Sequence, residues 1–226
     1  MSYYECVHAL PEGSSSASRM ALVARRLGYQ GIIVANCSDS GNIFNFEAAR
    51  KVRDIEVVRG ADVLARDRKG LHNRVTSLRR RVPFLAVQGV SDMIVRAACE
   101  DPNVDVLIQH PEGRGNLGIA AARSAKQNQV AWGFDLSPMI RLRGGQRSRW
   151  MSIFRRNLVL ARKFRIPMMI TARPMSHLDL RAPREMIALA GLAGMEMAEA
   201  RAALEYPGRL LELNRRTWVS PGVELI

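Results

Sequence analysis

Short apolar runs alternate with longer amphipathic ones along almost the whole chain. "YYECVHAL" (3–10) reads as a first strand. In "SSSASRMALVARRLG" the serines can cap a helix, Met20, Val23, Ala24 and Leu27 recur at helical spacing, and Gly28 stops it. "YQGIIVAN" (29–36) is a buried strand. Residues 36–45 are polar and glycine-containing, which predicts a loop, and a short helix fits 46–53. "DIEVVRGADVLA" (54–65) contains the third strand. "RKGLHNRVTSLRRRV" (68–82) places Leu71, Val75, Leu78 and Val82 on one helical stripe. "PFLAVQGV", "VDVLIQH", "VAWGFDL" and "IPMMITA" supply strands four to seven. "SDMIVRAACED", capped by Ser91 or Asp92, and "NLGIAAARSAKQNQ" supply the helices between them. A long helix over Gln146–Phe164 precedes strand seven, and three helices follow it, over 182–194, 196–205 and 207–216. No eighth strand is evident.

Strands alternating with helices imply parallel pairing and right-handed crossovers. Seven such units in 226 residues suit a compact, irregular TIM-like β/α barrel; a doubly wound open sheet is the alternative. No glycine-, serine- or proline-rich linker divides residues 1–226, so a single domain is expected. Hydrophobic content of 47% supports a sizeable core and argues against disorder. No apolar run approaches about 18 residues, and the first residues lack a basic start followed by an apolar stretch, so neither a membrane span nor a signal peptide is expected. Cys6, Cys37 and Cys99 are far apart and form no CxxC zinc pair, which with an odd count suggests reduced thiols and a cytoplasmic protein.

Charge changes the picture most. The formal net charge is +13, and all but four of the 34 lysines and arginines are arginine. Arginine forks pair bidentately with phosphate and stack on bases. From Arg141 to Arg165 there are eight arginines and one lysine with no acid, and the acid-free stretch extends from Leu136 to Leu178. Ordinary solvated helix faces mix signs, because like charges at i,i+4 repel by a few tenths of a kcal/mol. An external polyanion would relieve that repulsion. In the long helix, Trp150, Ile153, Phe154, Asn157, Leu158, Ala161 and Phe164 form the inward stripe, leaving most of the arginines outside. A second block, Arg59–Arg81, holds seven arginines and one lysine against Asp62 and Asp67, but its closing "RRR" also suits the negative end of a helix dipole. If loops at one end of a barrel converge, the two blocks could share a surface.

Other motifs are weaker. "HPEGRGNLG" spells GxGxxG through Gly113, Gly115 and Gly118, but Gln109, His110, Pro111 and Glu112 separate it from the strand, unlike a dinucleotide-binding turn. Amide groups opening a helix, with Arg114 beside them, would serve any phosphate. His8 and His110 end predicted strands and could meet at a barrel mouth, joined by Glu5, Glu112, Asp135 or Asp179. Such a cluster could hold a metal for phosphoester hydrolysis, although two histidines make a thin ligand set.

Taken together, "VDVLIQHPEGRGNLGI", "RGGQRSRWMSIFRRNLVLARKF", "LDLRAPREMIALAGLAGM", "LNRR" and "PGVELI" resemble archaeal ribonuclease P protein component 3, in order and spacing, over the chain from about Leu27 onward. The resemblance implies a barrel related to polymerase-and-histidinol-phosphatase phosphoesterases with a degenerate catalytic site. It implies a protein subunit of the ribonucleoprotein that removes 5′ leaders from precursor tRNA, an endoribonuclease whose RNA performs the chemistry with magnesium. The chain itself would bind no cofactor. Its partners would be the ribonuclease P RNA, precursor tRNA, protein component 2, as two pairs forming a heterotetramer, and the other protein subunits. The expected RNA-facing residues are Arg79, Arg80, Arg81, Arg114, Arg141, Arg143, Arg147, Arg149, Arg155, Arg156, Arg173, Arg181 and Arg184. His8 and His110 would be remnants of a metal site, since Cys6-Val7-His8 stands where the relatives have His-x-His. A stand-alone metal-dependent phosphoesterase on the same barrel is the alternative.

Overall fold

The computed structural model describes residues 2–37, 52–110, 117–216, 218–220 and 223–224. Seven strands, β1 (Tyr4–Val7), β2 (Gly31–Val34), β3 (Glu56–Val63), β4 (Phe84–Gly89), β5 (Val106–Gln109), β6 (Ala131–Asp135) and β7 (Met168–Thr171), pair in sequence order and all in parallel. The helices between them are α1 (Ala17–Leu27), α2 (Arg68–Arg79), α3 (Asp92–Glu100), α4 (Ile119–Gln127), α5 (Ser137–Arg141) and α6 (Gly144–Phe164). Two more, α7 (Pro183–Leu192) and α8 (Met197–Arg215), follow β7. This is the irregular TIM-like barrel that the alternation predicts. The predicted loop at 36–45 falls mostly, and the short helix at 46–53 almost wholly, outside the described residues.

Period-two alternation sorts every strand into two cores. Val7, Val34, Val63, Leu85, Val87, Leu107, Trp132 and Ile170 face outward and pack with Met20, Leu71, Val75, Ile94, Leu158 and Met186 of the helices. Cys6, Ile33, Val58, Phe84, Ala86, Val106, Ile108 and Met169 fill the interior. The space inside is tight. A Cβ on Gly133 would lie 2.6 Å from Ile108, and one on Gly60 2.7 Å from Ile33. Both faces of each strand are therefore buried, which explains runs too uniformly apolar for a half-exposed sheet.

Local chemistry sets the helix ends. Ser16 accepts from the Arg19 amide and Gly28, at φ 96°, closes α1. Asp67 and Ser91 cap α2 and α3 through their side chains. The long basic helix of the sequence reading is preceded by the one-turn α5, with Gly144 at φ 52° at the junction.

The last two expected helices are one. α8 runs straight through Pro207, whose fixed φ suits a helix although it removes one hydrogen bond. The loss is offset by burial on both sides, Leu204 before the proline and Leu210 and Leu211 after it. Close approach is possible because residue 208 is glycine: a Cβ there would sit 2.9 Å from the Ser2 carbonyl oxygen. Leu210, Leu211 and Tyr206 join the interior core, so α8 forms the floor beneath the N-terminal strand ends. Asn214 donates to Asp105 and the Pro83 carbonyl, and Arg215 to Glu56. No eighth barrel strand occurs among the described residues. β8 (Trp218–Ser220) and β9 (Val223–Glu224) form a separate antiparallel pair.

Among the described residues no ladder joins β7 to β1; the seam is closed by other means. The His8 amide donates to the Pro174 carbonyl (3.0 Å), and α8 packs on both strands. Glu5 acts as a staple. Its carboxyl accepts from the Thr171 hydroxyl, the Ala172 amide and the Tyr29 hydroxyl. Burial pushes its pKa up to about 7, although these bonds pull the other way. A folded-state pKa above the unfolded value means that stabilisation is complete below about pH 4.5 and is lost as pH rises through about 7. Glu5→Gln should therefore flatten the stability profile across this window, where the parent loses on the order of 3 kcal/mol. Urea unfolding of both proteins between pH 5 and 8 measures the difference; parallel profiles would show that Glu5 does not titrate in that range.

Candidate nucleic-acid interface

α6 stands on the flank of the barrel with its start at the mouth, where the C-terminal strand ends open, and its end near the floor. At about 1.5 Å per residue its 21 residues cover roughly 31 Å. Three inward side chains fix its rotation. The Trp150 indole donates to the Asp135 carbonyl (3.2 Å), the Phe154 ring packs on Phe134 at 4.6 Å, and the Asn157 amide donates to Gln109 (2.5 Å). Leu158 and Ala161 complete the buried stripe, with Ile153 and Phe164 half-buried beside it. That rotation turns Arg149, Arg155, Arg156, Arg162 and Lys163 to solvent.

Charge compensation along this strip is sparse. Arg141 meets Asp179 (3.1 Å) and Arg162 meets Glu199 (2.7 Å), both acids from beyond the acid-free stretch. Among the described residues Arg147 and Arg155 donate only to carbonyl oxygens, of Leu142 and Leu192, which leaves their charge unneutralised there. Arg156 also has an interaction partner. Arg143, Arg149 and Arg165 are exposed and make no ion pair or side-chain hydrogen bond among the described residues. α4 packs beside α6 and adds the exposed Arg123, which the sequence reading left out because "AAARSAK" holds too little charge to stand out.

The remaining expected arginines are not all on this strip. Arg79 donates to Asp105 (2.7 Å) and to the Asn103 and Val82 carbonyls, bracing the floor. Arg80 and Arg81 are exposed at the same end, because a helix must deliver the chain to the N-terminal end of the next strand. The closing arginines of the second block thus sit at the floor, while its Arg66 and Arg68 stand at the other end, where β3 passes into α2. Arg181 turns back onto the Leu178 and Leu180 carbonyls, and Arg184 is exposed in the first turn of α7. Arg114, Glu112, Gly113 and Gly115 lie outside the described residues.

The mouth is a single polar layer, one inward residue from each strand end: His8, Cys37, Asp62, Gln88, His110, Asp135 and Arg173. All but Asp62 line a hollow of about 410 Å³, joined by Glu12 and Ser137. His8 and His110 both line it. Glu5 does not join them, being the seam staple, and Asp179 is drawn to Arg141. Arg173, among the expected RNA-facing residues, lies instead at the centre of the layer, 14% exposed and paired with a buried carboxylate that the sequence does not announce. Arg173, delivered by a backbone at φ 43°, donates to Asp62 at 2.5 Å, and Gln88 donates to the same carboxylate oxygen at 2.9 Å. His8 approaches Glu12 at 3.3 Å and Asp62 at 3.9 Å. Burial alone would lower the Arg173 pKa, but Asp62, Asp135 and Glu12 outweigh it and raise it further. Burial pushes Glu12 up, yet the His8 ring, the Cys37 amide and Arg173 hold it below the usual carboxylate range.

This arrangement does not fit the metal that a phosphoesterase-like barrel implies. Among the described residues no three of histidine, cysteine, aspartate and glutamate are placed to hold an ion. The guanidinium already supplies a positive charge where a metal would be needed, and a second cation beside it would be repelled.

A solved structure of archaeal ribonuclease P with mature tRNA contains a chain that superposes with a TM-score of 0.79, at 22% identity, covering 99% of this chain and 97% of that one. A histidinol phosphate phosphatase from Lactococcus lactis, solved with zinc, histidinol and phosphate, superposes at 0.52 with 9% identity over 86% of this chain and 94% of that one. At these identities the likeness is one of fold. In sequence, ribonuclease P protein component 3 of Methanococcoides burtonii is 38% identical over 99% of this chain and 94% of its own length. The same component of Halorubrum lacusprofundi is 34% identical over 97% and 96%. The family described as RNase P subunit p30 matches residues 1–218, and the chain belongs to that family.

Proposed function

We propose that this chain is a protein subunit of the ribonuclease P ribonucleoprotein, the endoribonuclease that removes the 5′ leader of precursor tRNA. Its part is to bind and stabilise the catalytic RNA, while the RNA carries the chemistry with its own magnesium. The observation that carries this reading is the α6 strip, where Arg143, Arg147, Arg149 and Arg155 present charge that no carboxylate of the described residues neutralises. Each phosphate it meets releases counterions, so recognition is of backbone and shape rather than of base edges. The phosphoesterase reading loses ground because an arginine holds the centre of the mouth. The chain pairs with protein component 2, two such pairs form a heterotetramer, and the particle works in the cytoplasm. No helix among the described residues is long and apolar enough to cross a membrane.

A tethered cleavage reagent tests this. The three cysteines are buried, so Ser152→Cys, on the exposed face of α6, takes a chelated-iron label selectively. In the reconstituted particle, radical scission of the ribonuclease P RNA or the bound precursor should cluster around that position. Scission absent there, yet present from a label at Thr76 on α2, would refute the assignment.

A further inference from the structure

We propose that the groove between α1, α7 and the start of α8 seats an acidic, apolar-faced segment of another protein subunit of the particle; this rests on the subunit reading above. Two hollows of about 550 and 440 Å³ adjoin there and share Arg184, Ile187 and Arg201. The floor is apolar: Leu27 and Pro183 at one end, Ile187 and Ala188 between, Met197 at the other. Met197 is 70% exposed. Scattered surface apolar residues need no explanation, but Leu27, Pro183, Ile187, Ala188 and Met197 line one continuous depression.

The rim names the chemistry of the occupant. Arg26, Arg184 and Arg201 are exposed and make no ion pair or side-chain hydrogen bond among the described residues. The acids nearest in sequence are engaged elsewhere, Glu185 with the Ala182 amide and Glu199 with Arg162. Three unneutralised guanidinium groups around an apolar trough complement a segment that offers leucine-like anchors and carboxylates together, as an amphipathic helix does. An RNA strand matches the rim but not the floor, since phosphates and sugars do not repay covering Ile187 and Met197. The α6 strip is the reverse case, with Val159 its one large exposed apolar residue. The two surfaces lie on different flanks of α7: α6 reaches Leu192 and Gly194 from one side, while Tyr3, Arg26 and Leu27 of the groove lie on the other. RNA and protein could therefore be held at once.

The test titrates the full-length chain with each of the particle's other protein subunits, purified, component 2 among them, and separately with the ribonuclease P RNA. Met197→Glu combined with Arg201→Glu changes only exposed side chains, and circular dichroism checks that the fold is kept. One protein subunit should lose at least about 30-fold in affinity, the loss typical of a central anchor, while RNA affinity stays within about twofold. The milder Arg26→Ala with Arg184→Ala should weaken the same subunit and flatten its salt dependence, with Arg184→Lys close to the parent. The proposal is overturned if no protein subunit loses affinity, or if RNA affinity falls in its place. Failure of the RNA reading would register separately, in variants of α6.

Discussion

Arg173→Ala is expected to destabilise the protein by about 3–5 kcal/mol, because it strands a buried carboxylate. Asp62 is 1% exposed, and its Oδ1 already lacks a hydrogen-bond partner. Among the described residues, losing the guanidinium would leave Oδ2 with the Gln88 amide as its one hydrogen-bond donor and the His8 ring at 3.9 Å, in a layer that also holds Asp135 and Glu12. For a chain of this size the thermal midpoint should fall by roughly 6–20 °C. The origin of the loss is separable. Adding Asp62→Asn to Arg173→Ala should recover about 1–3 kcal/mol, because the carboxylate no longer needs a cation. Arg173→Lys should fall between, since an ammonium lacks the fork and still has to tolerate a left-handed backbone at φ 43°. A double-mutant cycle by urea unfolding measures this, and strictly additive losses would show that Arg173 and Asp62 do not depend on each other.

The second large effect concerns α6. Arg143→Ala, Arg149→Ala and Arg155→Ala combined remove three charges without touching Trp150, Phe154 or Leu158, so the fold should survive. Counterion release predicts that RNA affinity drops roughly 100-fold near 0.15 M salt when three phosphates go unneutralised. Cleavage of precursor tRNA by the reconstituted particle should fall accordingly when magnesium is limiting, and recover as magnesium is raised and screens the RNA itself. Arg80→Ala with Arg81→Ala, at the floor, is the internal control: equal charge per residue, far from the mouth. If the floor pair mattered more than the α6 triple, the interface would have to be moved to the other end of the barrel.

Much of this could be read from residue order. Strand and helix periodicities gave seven parallel units because both faces of each strand are buried and each helix presents a single stripe. The rotation of α6 followed from Trp150, Phe154 and Leu158, and the place of His8 and His110 at one mouth from their positions at strand ends. The losses have physical causes too. Asp62 stands inside "RGADV", where a lone carboxylate in an apolar strand signals a buried counter-charge, but its partner lies 111 residues away. Arg79 looks like its neighbours Arg80 and Arg81, and only the position of Asp105 makes it structural. Pro207 signals a break, yet packing of Leu204, Leu210 and Leu211 overrides it, as tertiary burial often does local propensity. Both basic blocks follow a strand and run along a helix from mouth to floor, α2 and α6, so only their like ends can come to one surface.

The most direct test of the central claim is the slope of log affinity for the ribonuclease P RNA against log salt concentration, for the parent and the α6 triple variant. The parent slope should be steep and become shallower by roughly three in the variant, one for each phosphate that the missing guanidinium groups had neutralised. Coincident slopes, with affinity unchanged across the salt range, would mean that these arginines do not face RNA.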